Sequence, residues 1–428
     1  MKKELRKYHL KRELGLVAAT LSGVGIILGA GIYALIGKAA GIAGNAVWIS
    51  FFFAAAVAAL TGLSYAELSS MYPKAGAEYV YTEHAFNKKL AFIVGLLIII
   101  SGIIGAAAVS LGFAGYFSAL FNTPLVPTAA VLIFLLSVVN YWGIKQSARI
   151  AILFTLIESF GLIAIIFIGI PYFGKVDYFE FSPVGLGGVF SAASLIFFAY
   201  LGFEEIVKLS EETKNPTKTI PTALIIAMVI STIIYILVSI SAVSILGWEK
   251  LGTSSAPLAD VASSALGGNA FLILSIIALF ATSNTALLMM LASSRIMYGM
   301  ARDHGFPEIF SRVHAIHRTP YFAVFLVMLI SVLFALVGKI EVVADLTNFV
   351  AFITFIVINA SVILLRQKFP KTNRHFHTPG RIGKIPILPV LGIIFSAFML
   401  LNLGIWILIY GVVLVVISTI LYNVIAKK

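Results

Sequence analysis

An acidic side chain in an otherwise apolar stretch, Glu158, has the clearest capacity for proton or ion chemistry in this sequence. It follows Arg149 by nine residues, or about 14 Å along a helix, so a helix that crosses a membrane here would bring Glu158 to mid-bilayer. A carboxyl group costs at least ~2.5 kcal/mol at that depth, and residues that bear this cost usually face a cavity on an ion or proton path. We therefore predict that Glu158 loads and unloads a proton. A protonated, purely structural carboxyl group is the alternative.

Few other side chains can support catalysis or metal binding. The chain contains no cysteine, which excludes disulfides, thiolate catalysis and cysteine-bound metals. Its seven histidines all lie in predicted tails or loops: His9, His84, His304, His314, His317, His375 and His377. The pairs His314/His317 and His375/His377 have a spacing that can bind a metal, but loop histidines are more often solvated. We therefore predict no catalytic residue, no metal and no cofactor, and a membrane enzyme is disfavoured.

Two glycine-containing stretches mark places where apolar helices are expected to break. The first, Gly23–Gly31, contains four glycines, each of which costs a helix about 1 kcal/mol relative to alanine. Taken alone, it is equally typical of small-residue packing between membrane helices. The second, Phe197–Glu205, places Gly202 inside an apolar helix with two carboxylates just beyond it.

The composition is that of a membrane protein. Of the 428 residues, 60% are apolar and 11% are charged, and the mean hydropathy is +1.04, which excludes an ordinary soluble enzyme and a disordered chain. A bilayer crossing needs about 20 apolar residues. We predict twelve such segments: 15–37, 44–70, 89–119, 124–144, 149–173, 185–208, 219–246, 270–300, 320–338, 342–365, 385–402 and 404–425. The last two divide the charge-free stretch Ile385–Ala426, which is too long for one crossing.

The distribution of basic residues predicts the orientation, because cytoplasmic loops are enriched in lysine and arginine. With the N-terminus inside, 26 of the 30 basic residues fall on the cytoplasmic side. The other four are Lys38, Lys175, Lys250 and Lys339. We therefore predict a multi-pass protein of the cytoplasmic membrane with both termini in the cytoplasm. The net charge of +12 then needs no nucleic-acid partner.

The two interrupted segments occupy corresponding places in the chain. The first segment begins the group of segments one to five, and the sixth begins the group of segments six to ten. Matching interruptions at such corresponding places are typical of a transporter with a site at the bilayer midplane. A broken helix exposes N–H groups at the positive end of a dipole, which suit a carboxylate, and free carbonyl groups, which suit an ammonium group. The pattern predicts a backbone site for an α-amino acid.

Four motifs, in this order, resemble those of the amino acid–polyamine–organocation (APC) permeases. They are Gly29–Tyr33 in the first segment, Tyr65–Leu68 with Pro73–Tyr79 after the second, Phe198–Glu204 with Glu211–Pro216 and Ile220–Pro221 around the sixth, and Ala301–Asp303 with Pro307 after the eighth. The resemblance covers nearly the whole chain and looks strongest to prokaryotic relatives of the cationic amino acid transporter branch.

The resemblance implies an all-α polytopic membrane protein of twelve transmembrane helices with the LeuT-like fold. In that fold, five helices and the next five form an inverted repeat in which helices 1 and 6 are broken, and two further helices follow. For this chain it implies a cytoplasmic tail at 1–14, the first repeat at 15–173, the second repeat at 185–366 and the last two helices at 385–426.

The resemblance also assigns residues to the site. The implied substrate-binding residues are Ile27, Gly29, Ala30, Gly31 and Ile32 from the first segment and Phe198, Ala199, Tyr200, Leu201 and Gly202 from the sixth. Phe198 or Tyr200 is a candidate aromatic lid, with ordinary packing as the alternative. Glu204 is similar to a carboxylate that some members use in gating, and a surface acid is the alternative.

The sequence departs from the family pattern at Glu158. Many proton-coupled members carry a lysine at the position that aligns with it, so their coupling mechanism does not simply transfer to an acid. Either Glu158 carries the proton, or its carboxylate helps first-segment carbonyls and Ser283 or Asn284 to hold Na⁺. We prefer H⁺ to Na⁺ as the coupling ion. Interhelical hydrogen bonding is the alternative role of Ser283 and Asn284.

The expected function is secondary active transport of amino acids by alternating access, coupled to protons. The third segment and the tenth between Leu346 and Leu365 contain no acid, which favours neutral substrates of small to medium size. An exchanger, or transport of cationic amino acids or polyamines, remains open. A channel would need a filter or charged rings and a major facilitator a six-plus-six division, and the sequence has neither. The expected partners are the amino acid and the lipid bilayer, with the protein a monomer or weak homo-oligomer.

Overall fold

The computed structural model describes residues 12, 14–74, 77–142, 144–302, 306–317, 319–372, 374–383 and 385–425, without the side chains of 144–152, 211 and 425. Parts of the sequence interpretation lie outside these ranges. They are most of the predicted tail, Ala75 and Gly76 of the second motif, Asp303 of the fourth motif, and residue 426.

The described chain is almost entirely helical. Its first seven helices are α1 (Leu16–Ile27), α2 (Ala30–Ala43), α3 (Val47–Met71), α4 (Ala77–Ala85), α5 (Lys88–Phe121), α6 (Leu125–Trp142) and α7 (Ile144–Gly169). The others are α8 (Leu186–Tyr200), α9 (Pro216–Leu246), α10 (Trp248–Thr253), α11 (Pro257–Leu266), α12 (Gly268–Arg302), α13 (Tyr321–Ala335), α14 (Ile340–Lys368), α15 (Ile387–Leu401) and α16 (Ile405–Ile425). One short antiparallel pair, β1 (Arg381–Ile382) with β2 (Ile385–Pro386), precedes α15.

Most of these helices can cross a membrane. Within the described ranges, nine helical spans are long and apolar enough by length and composition, if α8 is counted together with the 3₁₀ residues that follow it as far as Ser210. The bent pair of α1 and α2, at 42°, forms a tenth span. The helices α13 and α15 are apolar but have only 15 residues each, or about 22 Å of helix. The all-α polytopic fold is thus confirmed. The count of twelve crossings and the inverted repeat stay predictions.

The fifth membrane helix, α7, shows which surfaces face lipid. Leu153, Leu156, Phe160 and Phe167 form a stripe at helical spacing in which each side chain is more than half exposed. The opposite stripe, Glu158, Leu162 and Ile165, is completely buried. An apolar face that is open in a chain of this hydropathy is the face that contacts lipid tails. The acid at residue 158 therefore points into the protein.

The second half of the bent span, α2, lies at the centre of the molecule. It packs against α5, α8, α10 and α12, while α1 packs mainly on α9. The long helix α5 packs on both α12 and α14, and the three form the neighbouring wall. This arrangement places the bend between α1 and α2 next to the end of α8.

Candidate functional site

The first helix break lies at Leu28 and Gly29. The helix α1 ends at Ile27 and α2 begins at Ala30. Gly29, which precedes α2, has no side chain that could cap the helix. One amide of its first turn has a side-chain partner, because the N–H of Ala30 donates to Thr285 Oγ1 at 2.9 Å. The first amides of any helix lack partners within the helix. The start of α2 is therefore a polar, electropositive spot inside an apolar bundle.

The second break lies at Leu201 and Gly202. The helix α8 ends at Tyr200, Leu201 is extended, and Gly202 has φ +118°, a conformation that strongly favours glycine. A 3₁₀ segment follows at Phe203–Glu212. The N–H of Gly202 donates to Glu204 Oε2 at 2.9 Å. The carboxylate predicted to act in gating thus occupies an amide of the predicted substrate site.

The two breaks touch each other. A Cβ atom placed on Gly31 would lie 2.5 Å from the Cα of Ala199, and one on Gly202 would lie 3.0 Å from the carbonyl oxygen of Ile26. These distances leave no room for a side chain at either glycine. The structure therefore brings the two sets of predicted substrate-binding residues together, and their role in binding stays a prediction.

Tyr235 of α9 links the breaks, and sequence reasoning missed it. Its hydroxyl oxygen lies 2.5 Å from the carbonyl oxygen of Ile27 and 2.9 Å from that of Ala199. A tyrosine hydroxyl has one proton to donate. It can therefore fully satisfy only one of the two carbonyls at a time. A lone phenol in the middle of the apolar seventh segment was the available signal.

Glu158 lies behind the first break without a hydrogen-bond partner. Neither of its buried carboxylate oxygens has a partner in the described part of the chain, although Asn284 and Thr155 face it. Asn284 Nδ2 donates to Thr155 Oγ1 at 3.1 Å, which leaves Asn284 Oδ1 without a partner. The hydroxyl of Tyr33 donates to the backbone carbonyl of Glu158 at 2.6 Å. Thus α2, α7 and α12 meet around a carboxyl group whose oxygens are available to a proton or a cation.

Thr155 and Thr285 are further polar residues that the sequence analysis did not name. Thr155 packs against Gly25, where an added Cβ would lie 2.4 Å from its methyl carbon. Thr285 follows Asn284 and reaches α2 as described above. Ser283, by contrast, is half-buried and does not line the cavity described next. Hydroxyl groups in membrane helices are common, which is why only their partners distinguish these two.

A cavity of about 360 Å³ begins at the breaks. Its wall includes Gly25 and Ile26 before the first break, Glu78 of α4 and Arg295 near the end of α12. It therefore extends toward the side on which α1 begins. Four predicted site residues line it: Leu201, Gly202, Glu204 and Asn284. The others are buried without lining it: Ile27, Gly29, Ala30, Gly31, Ile32, Glu158, Phe198, Ala199 and Tyr200.

The candidate lid residues are packed inside the protein. Tyr200 is 1% exposed, its hydroxyl donates to the carbonyl of Phe51 at 3.0 Å, and its ring meets that of Tyr235 edge-on. Phe198 is 3% exposed. Both are in the ordinary packing that the sequence analysis held as the alternative, and the lid stays a prediction.

The cavity contains more charged residues than the sequence analysis expected. Glu78, Glu204 and Glu205 all line it, as does Arg295. Lys208 makes an ion pair with Glu205 and lies 3.9 Å from Glu78. Burial raises the pKa of Glu78, against the opposing effect of Lys208. The expectation of an uncharged pocket is corrected here, because the acids come from α4 and from the 3₁₀ segment after α8, not from the third and tenth segments.

Glu158 is also not alone within the predicted segments. Glu67, in the second segment, is fully buried and paired with Arg366. Asp345, in the tenth, has a buried Oδ1 without a partner among the described residues. Both positions lie near the ends of apolar runs, where the sequence alone assigns charges to the membrane surface. Burial by neighbouring helices decides otherwise.

Comparison with known protein families identifies this architecture. Residues 14–426 match the family model described as amino acid permease. The chain is 32% identical to the branched-chain amino acid permease BcaP of Bacillus subtilis (strain 168), over 98% of this chain and 94% of that protein. It is 31% identical to the methylthioribose transporter of the same organism, over 89% of this chain and 86% of that protein.

More distant similarity extends to animal proteins. The chain is 29% identical to cationic amino acid transporter 4 of Mus musculus, over 88% of this chain and 63% of that longer protein. The named relatives are transporters that differ in the molecule they carry.

Proposed function

The chain belongs to the amino acid permease family and is a multi-pass membrane protein that transports amino acids, and from this we propose a substrate class and a coupling ion. The substrates are neutral amino acids of small to medium size. The transporter is a proton symporter that works by alternating access. The protein lies in the cytoplasmic membrane with both termini in the cytoplasm. It acts as a monomer or weak homo-oligomer.

The two helix breaks support recognition of the substrate main chain. The amides of Gly29, Gly31 and Ile32 at the start of α2 suit a carboxylate, since the positive end of the helix dipole reinforces them. The carbonyl groups of Ile27 and Ala199 suit an ammonium group and already attract the Tyr235 hydroxyl. A site built from backbone leaves the substrate side chain to be selected by shape, which fits a neutral amino acid.

The single observation that carries proton coupling is the unpartnered carboxyl group of Glu158. It is completely buried beside the first break, and no cationic side chain pairs with it in the described ranges. A proton satisfies such a group with no new ligand, whereas Na⁺ needs several oxygen ligands in a suitable geometry. Protonation from one side and release to the other would couple the occupancy of Glu158 to the arrangement of the breaks.

The test is uptake of labelled amino acids into proteoliposomes with a proton gradient, a sodium gradient, or internal substrate alone. We expect stimulation by an inward proton gradient and none by sodium. Uptake that depends only on internal substrate would instead identify an exchanger. In Glu158→Gln, which keeps the shape but cannot titrate, we expect the pH dependence of uptake to disappear.

The matched control is Asp345→Asn, which neutralises another buried acid on α14 and should leave the pH dependence intact. If Glu158→Gln followed pH as the parent does, the assignment of the proton to Glu158 would be wrong.

Transport of cationic amino acids or polyamines is the second candidate. The observation in its favour is the set of three carboxylates along the cavity. A panel that includes leucine, arginine and putrescine decides between the candidates, because a cationic transporter would prefer the last two. Saturable uptake of leucine that arginine does not inhibit would support the neutral class.

A further inference from the structure

Arg295 of α12 is a charged residue on the cavity wall that substrate recognition at the breaks does not use. Its Nε is buried and has no hydrogen-bond partner among the described residues. No carboxylate of the described residues forms an ion pair with it. A guanidinium in an apolar helix is costly and is normally paired or directed at an anion. Its free donors therefore point to a negatively charged ligand.

The position of Arg295 separates it from the site at the breaks. Asn284 lies at the inner end of the cavity, and eleven residues of α12 lead from it to Arg295. At 1.5 Å per residue this is about 16 Å. The carboxylate and ammonium groups of an α-amino acid are attached to one carbon atom. A substrate bound at the breaks cannot also place its carboxylate on Arg295, so any contact with Arg295 is a second binding position.

The acids of the cavity complement this arginine. Glu205 and Glu78 share Lys208, and Glu204 is bound to the amide of Gly202. These contacts fix the carboxylates on α4 and on the 3₁₀ segment, while Arg295 lies on α12. The acids and Arg295 thus lie on different elements of the cavity wall, and no ion pair joins them in the described part of the chain. A zwitterion is the ligand that matches both.

We propose that Arg295 binds the α-carboxylate of an amino acid at a second subsite, in the part of this cavity that lies away from the breaks. The substrate stops there between the breaks and the aqueous phase. The proposal rests on amino acids being the substrate. Arginine presents several N–H donors in a planar fork that matches a carboxylate. The ammonium group of the same molecule faces the side of the cavity that carries Glu78 and Glu205. The subsite serves one membrane face, because the lining among the described residues takes the cavity toward the side on which α1 begins.

The experiment compares the KM for leucine at the two membrane faces, in right-side-out and inside-out vesicles from the same cells. The variants are Arg295→Gln, which removes the charge, and Arg295→Lys, which keeps it without the fork. The matched control is Arg302→Gln, which removes an exposed arginine from the end of the same helix. Because the chain has no cysteine, Ser101→Cys on the cavity wall and an impermeant thiol reagent identify the face to which the cavity opens.

We expect the KM of Arg295→Gln to rise about tenfold at the cavity face and to stay within about twofold of the parent at the opposite face, as the loss of one hydrogen-bonded charge pair predicts. At the cavity face, the KM of Arg295→Lys should lie between those of the parent and Arg295→Gln. The KM of Arg302→Gln should match that of the parent at both faces. A KM unchanged at both faces, or raised equally at both, would overturn the proposal.

Two leucine analogues test the chemistry of recognition directly. 4-Methylpentanoate retains the carboxylate and lacks the ammonium group, and isopentylamine retains the ammonium group and lacks the carboxylate. Inhibition by 4-methylpentanoate from the cavity face should weaken about tenfold in Arg295→Gln, while inhibition by isopentylamine should not change. Equal inhibition of parent and variant by 4-methylpentanoate would refute carboxylate binding at Arg295.

These results separate the subsite from the proposed function. A parent protein that carries leucine while Arg295→Gln keeps its constants retains the proposed function and loses the subsite. A parent that carries no amino acid overturns both. A thermal midpoint close to that of the parent shows that each variant is folded.

Discussion

At the scale of single residues, the partners of each buried carboxyl group decide what it can do. Glu67 accepts from Arg366 Nε at 2.8 Å and from the backbone N–H of Thr378 at 2.9 Å, with Arg374 Nε 3.4 Å away. All its capacity is used to hold the loop after α14 against α3. Glu158 is equally buried and has no such partners. The first is therefore a structural clamp, and the second is free to bind a proton.

Glu78 gives a pH prediction at this scale. Its pKa is raised above 4.5, mainly by burial. Between 4.5 and the raised value, the folded protein holds a proton that the unfolded chain has lost, so stability falls as pH rises through this window. Glu78→Gln removes that titration. We expect the thermal midpoint of the variant to improve relative to the parent as pH rises from 4.5.

The measurement is a series of thermal unfolding curves in detergent across that pH range. Glu83→Gln on the same helix is the control and should keep a constant difference from the parent. A constant difference for Glu78→Gln as well would contradict the prediction.

At the scale of elements, the breaks depend on close approach between two helices. Glycine costs each helix stability, but Gly31 lets α2 approach α8 at Ala199, and Gly202 adopts its positive φ beside Ile26. The hydroxyl of Tyr235 then donates a hydrogen bond to the carbonyl of Ile27 or of Ala199, which the interruptions leave without helical partners. The geometry of the site is thus a property of three helices and not of either broken helix alone.

A single methyl group tests this dependence. Gly31→Ala would place a Cβ 2.5 Å from the Cα of Ala199 and force the breaks apart. We expect substrate affinity to fall by at least about tenfold, since a displacement near 1 Å is enough to spoil positioning of this kind. Binding of labelled substrate to the purified protein measures it.

Gly299→Ala is the matched control, because a Cβ there meets nothing within 4 Å. Unchanged affinity in Gly31→Ala would show that the breaks do not form the site.

At the scale of the whole molecule, the two sides of the helix breaks differ. The cavity at the breaks extends toward the side on which α1 begins. On the α2 side, Lys38 of α2 pairs with Glu341 of α14 at 3.1 Å beside a second cavity of about 570 Å³. An ion pair that joins α2 to α14 opposes separation of these helices. It thus favours the state that is closed on the α2 side.

Removing this pair should shift the balance toward opening on the α2 side. Both side chains are about one-third exposed, so the pair is worth at most about 1 kcal/mol, a factor of about five in population. We expect Glu341→Gln to speed modification of a cysteine placed at the buried Leu111 of the second cavity by about two- to fivefold. Lys339→Gln, on the same cavity wall, should leave that rate unchanged. A rate that did not respond to loss of the pair would exclude it as a latch.

The sequence by itself determined the membrane class, the apolar segments, the places where two of them break and the family, and it singled out Glu158 for the proton proposal. These features are local, because composition, periodicity and motifs are written in consecutive residues. Only the tertiary structure decided which groups meet. Tyr235 and Thr285 reach the breaks from other helices, and Glu78 and Arg295 enter one cavity although residue order assigns both to the membrane surface. Such contacts depend on how helices distant in sequence pack, and burial then determines which charged groups find partners and which remain free to bind.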